Sequence, residues 1–161
     1  MRYNKTNVTY IDTRVNVSNH VTVANLTFGI NADKLLCLSA LEGAGVDIEA
    51  MFDKYYEYCG IGDYTDNNGV TSKQIVFKTV GRAKLRNEDK ANCDSIIGER
   101  LAISEAQKKA FSIASRLQSD LYNATIIYII TPLAKYRDGA QKSTLECVNH
   151  RKNLINHYYN F

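Results

Sequence analysis

The sequence predicts an α+β fold: a small antiparallel sheet with an N-terminal hairpin, packed by a long central helix and a C-terminal helix. Three observations predict it. Residues from Thr13 to Ile30 are β-branched and alternate in two runs; Gln74 to Arg86 alternates cations with apolar or small residues; and from Ser95 the apolar period becomes that of a helix.

Taken in order, TRVNVS (Thr13 to Ser18) and VTVANLTFGI (Val21 to Ile30) read as a hairpin joined at Asn19-His20, with Thr22, Ala24, Leu26, Phe28 and Ile30 on the core face. ADKLLCLSALEG then reads as a short helix, with Asn31 as N-cap and Gly43 as stop. DIEAMFDKYYEY (Asp47 to Tyr58) reads as a second, closed by Gly60, so residues 31–59 form a helical insertion. Residues 60–73 are crowded with Gly, Asn and Asp and are expected to be a flexible loop.

The next strand pairs most simply with the hairpin. Asp94 is a suitable N-cap for a helix from Ser95 to about Tyr122, whose apolar stripe is Ile96, Ile103, Ala106, Ala110, Ile113, Ala114, Leu117 and Leu121. Its small and β-branched members allow close approach to a sheet or to a partner helix. Beyond Asn123 the run ATIIYIIT is expected to be a strand, apolar on both faces and ended by Pro132, the sole proline. A loop over Tyr136 to Gln141 and a last helix from Thr144, capped by Ser143, complete the reading.

Bulk properties frame what these elements can do. With 161 residues, 45% apolar and 23% charged, the chain is expected to be one domain, 1–161, with a real core. A net charge of +3 excludes a uniformly basic nucleic-acid binder, so anion binding requires local clustering. No apolar run approaches the roughly 18 residues of a membrane span, and the N-terminal residues lack the apolar core of a signal peptide; a soluble, intracellular protein is expected. Cys37, Cys59, Cys93 and Cys147 form no CxxC pair, which argues for thiols rather than a zinc ribbon. The five Asn-x-Ser/Thr sequons then carry no weight as glycosylation sites.

The strand face carries the sharpest chemistry. Lys78, Arg82, Lys84 and Arg86 point one way, opposite Phe77, Thr79, Gly81, Ala83 and Leu85. Arg82, Lys84 and Arg86 recur about every 6.6 Å, close to the spacing of successive phosphates. Such a row suits a polyphosphate, a nucleotide or a nucleic-acid backbone; a solvated sheet face is the alternative. Arg100, Lys108, Lys109 and Arg116 on the following helix can add cations. Asp89 and its neighbours can neutralise them or read ribose hydroxyls, and Tyr64 can stack on a base. Gly81 marks either a close approach or a bulge. Cys147 and His150 are half of a metal site, with no second pair of ligands in the sequence. No GxSxG, Walker loop or HExxH occurs, so neither an enzyme nor a cofactor is expected.

The segment VFKTVGRAKLRNEDKANCDSIIGERLAISEAQKKAF, with a strand ending Gly-x-Ala, a loop carrying Asp89, then Gly98, Leu101-Ala102 and Ala106, resembles the phage-encoded anti-Thoeris sponges. The likeness covers about a quarter of the chain. It implies a viral immune-evasion protein, acting in the cytoplasm of an infected bacterium, that sequesters a cyclic-nucleotide immune signal without cleaving it. On that reading Lys78, Arg82, Lys84, Arg86, Asp89, Arg100, Lys108 and Tyr64 bind the ligand, and the Ala-rich stripe joins subunits of a homo-oligomer. The alternatives are an anti-CRISPR-type inhibitor of a host protein or nucleic-acid complex, and a nucleic-acid-binding module.

Overall fold

A computed structural model describes residues 8–18, 20–35, 37–84 and 95–159, with side chains described to 154. Four strands, β1 (Val8–Val17), β2 (Val21–Asn31), β3 (Tyr58–Thr65) and β4 (Thr71–Lys84), form one antiparallel sheet in the order β1-β2-β4-β3. Two short helices, α1 (Cys37–Gly43) and α2 (Ile48–Asp53), separate β2 from β3. An unbroken helical rod then runs from Ser95: α3 (Ser95–Thr125), a π turn (Ile126–Ile130) and α4 (Thr131–Tyr159). The architecture is α+β.

The hairpin forms as its alternation requires, but β1 begins at Val8, five residues before the expected start. Ser18 closes the turn with its backbone N–H (3.0 Å) and hydroxyl (2.8 Å) on the Val21 carbonyl. Asn19 lies outside the described residues. On β2, Ala24, Leu26, Phe28 and Ile30 are all buried on one face. They meet β4 in an uninterrupted register from Val21 opposite Lys84 to Asn31 opposite Gln74.

The Asn31 side chain caps a single 3-10 turn (Ala32–Lys34) rather than the start of α1, and the Asp47 carboxylate caps α2 at Ala50 N–H, 3.0 Å away. The segment expected as a flexible loop is mostly strand: Tyr58 to Thr65 pairs with β4, and only residues 66–70 turn. The Asp66 carboxylate accepts from the N–H groups of Asn68 and Val70, both at 2.9 Å, while Gly69 takes φ 78°. Glycines that read as loop punctuation are strand residues here. Gly60, at φ 126°, follows a bulge at Cys59.

The core lies between one face of the sheet and α3. Phe28 and Phe77 stack with ring centroids 5.5 Å apart, and Tyr55 meets Phe77 edge-on at 6.0 Å. From α3, Ala102, Ala106, Ala110, Ile113, Leu117 and Leu121 are buried. The small side chains bring helix and sheet backbones close together, so the Ala stripe is spent inside this chain rather than between subunits. Ile96 is 53% exposed and stands outside the stripe, whereas Ala102, absent from the expected stripe, belongs to it.

Two expectations at the C-terminal end are overturned. ATIIYIIT is helical, and no loop interrupts the chain at Tyr136 to Gln141; Ser143 and Gly139 are interior helix residues. Pro132 would collide with the carbonyl of residue i−4 in a regular α-helix. Immediately before it the turn widens: both the N–H and the Oγ1 of Thr131 (2.8 Å for Oγ1) donate to the Ile126 carbonyl, five residues back. The wide turn lets the helix pass through its proline, and the β-branched run follows the helix that already precedes it. The C-terminal helix therefore continues α3 and leaves the sheet instead of packing on it. Among the described residues no helix is long and apolar enough to cross a membrane.

Candidate anion-binding face

β4 alternates as its sequence demands. Phe77, Thr79 and Gly81 are buried toward α3, while Lys78, Val80, Arg82 and Lys84 are exposed on the opposite, outer face. The inner side is clamped to α3: Thr79 Oγ1 donates to the Ala106 carbonyl at 3.0 Å, and a Cβ on Gly81 would stand 1.8 Å from the Ala102 carbonyl oxygen. Gly81 is thus a close approach, of helix backbone rather than ligand, and no bulge interrupts the register there.

The register extends each cation into a rung across three strands. Lys78 lies beside Thr27 and Asp12, Val80 beside Asn25 and Arg14, Arg82 beside Val23 and Asn16, and Lys84 beside Val21. Together Asp12, Arg14, Asn16, Asn25, Thr27, Lys78 and Val80 line an outer-face recess of about 600 Å³. Within it Arg14 Nε donates to Asp12 Oδ2 at 2.8 Å, a solvated pair that holds both side chains across the recess at little energetic gain. No described acidic residue makes an ion pair with Lys78, Arg82 or Lys84.

Beyond Phe77 the outer edge of β4 has no strand partner, because β3 pairs only from Tyr58 to Thr65. There Lys109 Nζ reaches from α3 to donate to the Val80 carbonyl at 2.7 Å. That contact satisfies an edge acceptor and ties the helix to the cationic strand.

The expected site residues divide into four groups. Lys78, Arg82 and Lys84 share the outer face. Arg86 and Asp89 lie outside the described residues, as do Asp94 and Cys93. Arg100 and Lys108 are exposed on α3, across the sheet from the outer face, so the fold does not bring them to the row. Tyr64 opposes Ser72, whose parity is that of Lys78, but stands about 20 Å along the sheet from it. Between them lie Gly29, Gly60 and Gly62 with Gln74 and Val76. The Gln74 amide donates to Ser72 Oγ at 2.8 Å, while its buried Oε1 has no partner among the described residues.

Arg14, Asp12, Asn16, Asn25 and Thr27 were not singled out by their sequence. The alternation D-x-R-x-N on β1 is the signal that puts the first three on one face. Of the three tyrosines that precede Tyr64 at 55, 56 and 58, Tyr55 and Tyr58 pack on Phe77 in the core and Tyr56 is fully solvated. The Tyr55 hydroxyl donates to Asp120 Oδ2, and its ring carries the Arg116 guanidinium at 5.2 Å. Burial, and then the Asp120 bond, push the Tyr55 phenol well above its usual range; the Tyr55 and Lys54 bonds hold the Asp120 carboxyl below its own. Among the described residues Cys37, Cys59 and Cys147 are free thiols, and no three His, Cys, Asp or Glu side chains cluster as a metal site.

Neither a family model, nor a curated protein, nor a solved structure matches the chain.

Proposed function

We propose that the outer sheet face captures a phosphate-bearing small molecule, a cyclic nucleotide of the kind used as an immune signal, and holds it without chemical turnover. The observation that carries the reading is the row Lys78, Arg82, Lys84: three exposed cations without an ion-pair partner among the described residues, beside a polar recess. Unneutralised like charges on one strand face repel, and an anion relieves them. The recess volume lies within the range of small-ligand sites. Asn16, Asn25 and Asp12 supply the amide and carboxylate groups that read ribose hydroxyls, while Lys78 and Arg82 grip phosphate as a point charge and as a fork. The counter-defence role, in the cytoplasm of an infected bacterium, follows from the resemblance of residues 76–111 to the sponges.

Mass spectrometry of small molecules released by heating the protein, after exposure to nucleotide mixtures or infected-cell lysate, tests this. An intact cyclic nucleotide supports capture; a cleaved product would mean an enzyme. The open edge beside Arg82 and Lys84 favours a second reading, an extended acidic surface of a host protein or nucleic acid. Steep loss of affinity with salt distinguishes a nucleic-acid backbone from a ligand with few phosphates.

A further inference from the structure

The part of the molecule that the sheet does not explain is α4. From Thr131 to Leu154 only Ala134 is even half-buried, so some 20 residues of helix stand in solvent. An isolated helix of this length is marginal in water. With Ile130 of the π turn just before it, it nevertheless presents Leu133, Tyr136, Leu145, Val148 and Leu154, the six between 43% and 77% exposed, which is far more apolar surface than a solitary solvated helix requires.

Their order is the informative point. At 100° per residue Ile130, Leu133, Arg137, Thr144, Val148 and Arg151 fall within about 60° of one another, a narrow line along the helix. The line reads symmetrically about the point between Ala140 and Gln141. Leu133 and Val148 are equidistant from that point, as are Ile130 and Arg151, and Arg137 and Thr144.

We propose that α4 is a self-association element: two copies pair their α4 helices antiparallel about a two-fold axis at Ala140-Gln141, so that Leu133 packs on the partner's Val148. In this register Ile130 meets the aliphatic stem of the partner's Arg151, and Arg137 meets the partner's Thr144. On the flanks a large side chain lies across from a small one: Tyr136 from the partner's Cys147, and Leu145 from the partner's Ala134. Ala140, next to the two-fold axis and on the edge of the line, lets the backbones come close at the crossing.

Charge selects the orientation. Parallel pairing would place Arg137 on the partner's Arg137 and Arg151 on the partner's Arg151, two like-charge contacts on the seam. Antiparallel pairing makes neither, and Arg137 carries its own counter-ion, Asp138, at 3.0 Å. The area is that of a modest interface: Ile130, Leu133 and Val148 on the line and Tyr136 and Leu145 on its flanks, at on the order of 100 Å² each, with the arginine stems, supply more than half of the roughly 800 Å² per partner of a standard interface. The inference is independent of what the outer sheet face binds.

Light scattering and sedimentation on the full chain test it. The wild-type protein should run at twice the chain mass at micromolar concentration. Leu133→Glu and Val148→Glu should each raise the dimer dissociation constant at least 100-fold, while the thermal transition of the sheet body persists. Orientation is read with cysteines. Arg137→Cys combined with Thr144→Cys should form an intermolecular disulfide between the two positions, which lie too far apart within one helix to bridge; Arg137→Cys alone should form none with its own counterpart. A wild-type monomer, a dimer indifferent to both glutamates, or a bridge between the two copies of position 137 would each overturn the proposal.

Discussion

The Gly81 Cα and the Ala102 carbonyl are so close that a single added methyl would lie 1.8 Å from the oxygen, with Ala106 N at 2.6 Å. The obstacle is helix backbone, held by the buried Ala side chains on both sides, and it cannot swing aside as a side-chain terminus would. Gly81→Ala should therefore destabilise by about 3 kcal/mol or more, at the upper end of overpacking costs. Chemical denaturation, read as the midpoint at unchanged m-value, checks this; a loss under 1 kcal/mol would mean that α3 lifts easily from the sheet.

The cationic row makes the opposite prediction. Lys78, Arg82 and Lys84 are exposed and share no contact with the core, so Lys78→Ala and Arg82→Ala should leave the melting temperature within a degree or two. Each should weaken binding of a nucleotide about tenfold, the loss of one charge-assisted contact. Calorimetry with both variants at two salt concentrations is the measurement, and normal binding by both would make the face a solvated surface.

Tyr55 and Asp120 set the pH limits of their corner of the core. The Asp120 carboxyl is depressed by the Tyr55 and Lys54 bonds, so its contribution is present above the unfolded carboxyl range and is lost as pH falls through the lower folded value. The Tyr55 phenol is raised, so its contribution is intact below pH about 10 and is lost as pH rises beyond it. Tyr55→Phe should cost about 1.5 kcal/mol at pH 7. It should also flatten stability at both ends: below pH about 4 and above pH about 10. Denaturation midpoints across pH for the two proteins decide it.

Gln74 predicts a gain. Its Oε1 is buried without a partner among the described residues, and such an acceptor bears its full desolvation cost. Gln74→Met keeps the volume over Gly29 and removes the orphan, and should stabilise by about 1 kcal/mol. A thermal shift downward instead would show that the oxygen is satisfied by solvent in the native state.

How much of this was legible in the residues depended on whether local pattern and tertiary context agreed. On β2 and β4 the alternation coincides with a one-sided core, so the faces could be read residue by residue. α3 likewise shows its buried stripe, apart from Ile96 at its exposed first turn and the half-buried Ile103. The failures share a cause. YCGIGDYT is rich in glycine and acid, and becomes a strand only because β4 offers it an edge; ATIIYIIT has strong β propensity, and stays helical because the helix before it supplies the hydrogen bonds. Pro132, read as a terminator, is accommodated by a turn whose extra residue leaves no trace in composition. For the face itself, Lys78, Arg82 and Lys84 came from one strand's alternation, whereas Arg14 and Asn16 needed the register of a neighbouring strand.

The π turn at Ile126–Ile130 holds one residue more than an α turn, and one residue is about 100° of helix rotation. It therefore sets the compass bearing of everything C-terminal to it. Excising a single residue there would leave the sheet face and α4 each intact, yet swing one relative to the other by more than a quarter-circle. In a pair joined through α4, a turn of five residues, of which only Ile130 touches either surface, would decide whether the two cationic faces look toward the same side or away from each other.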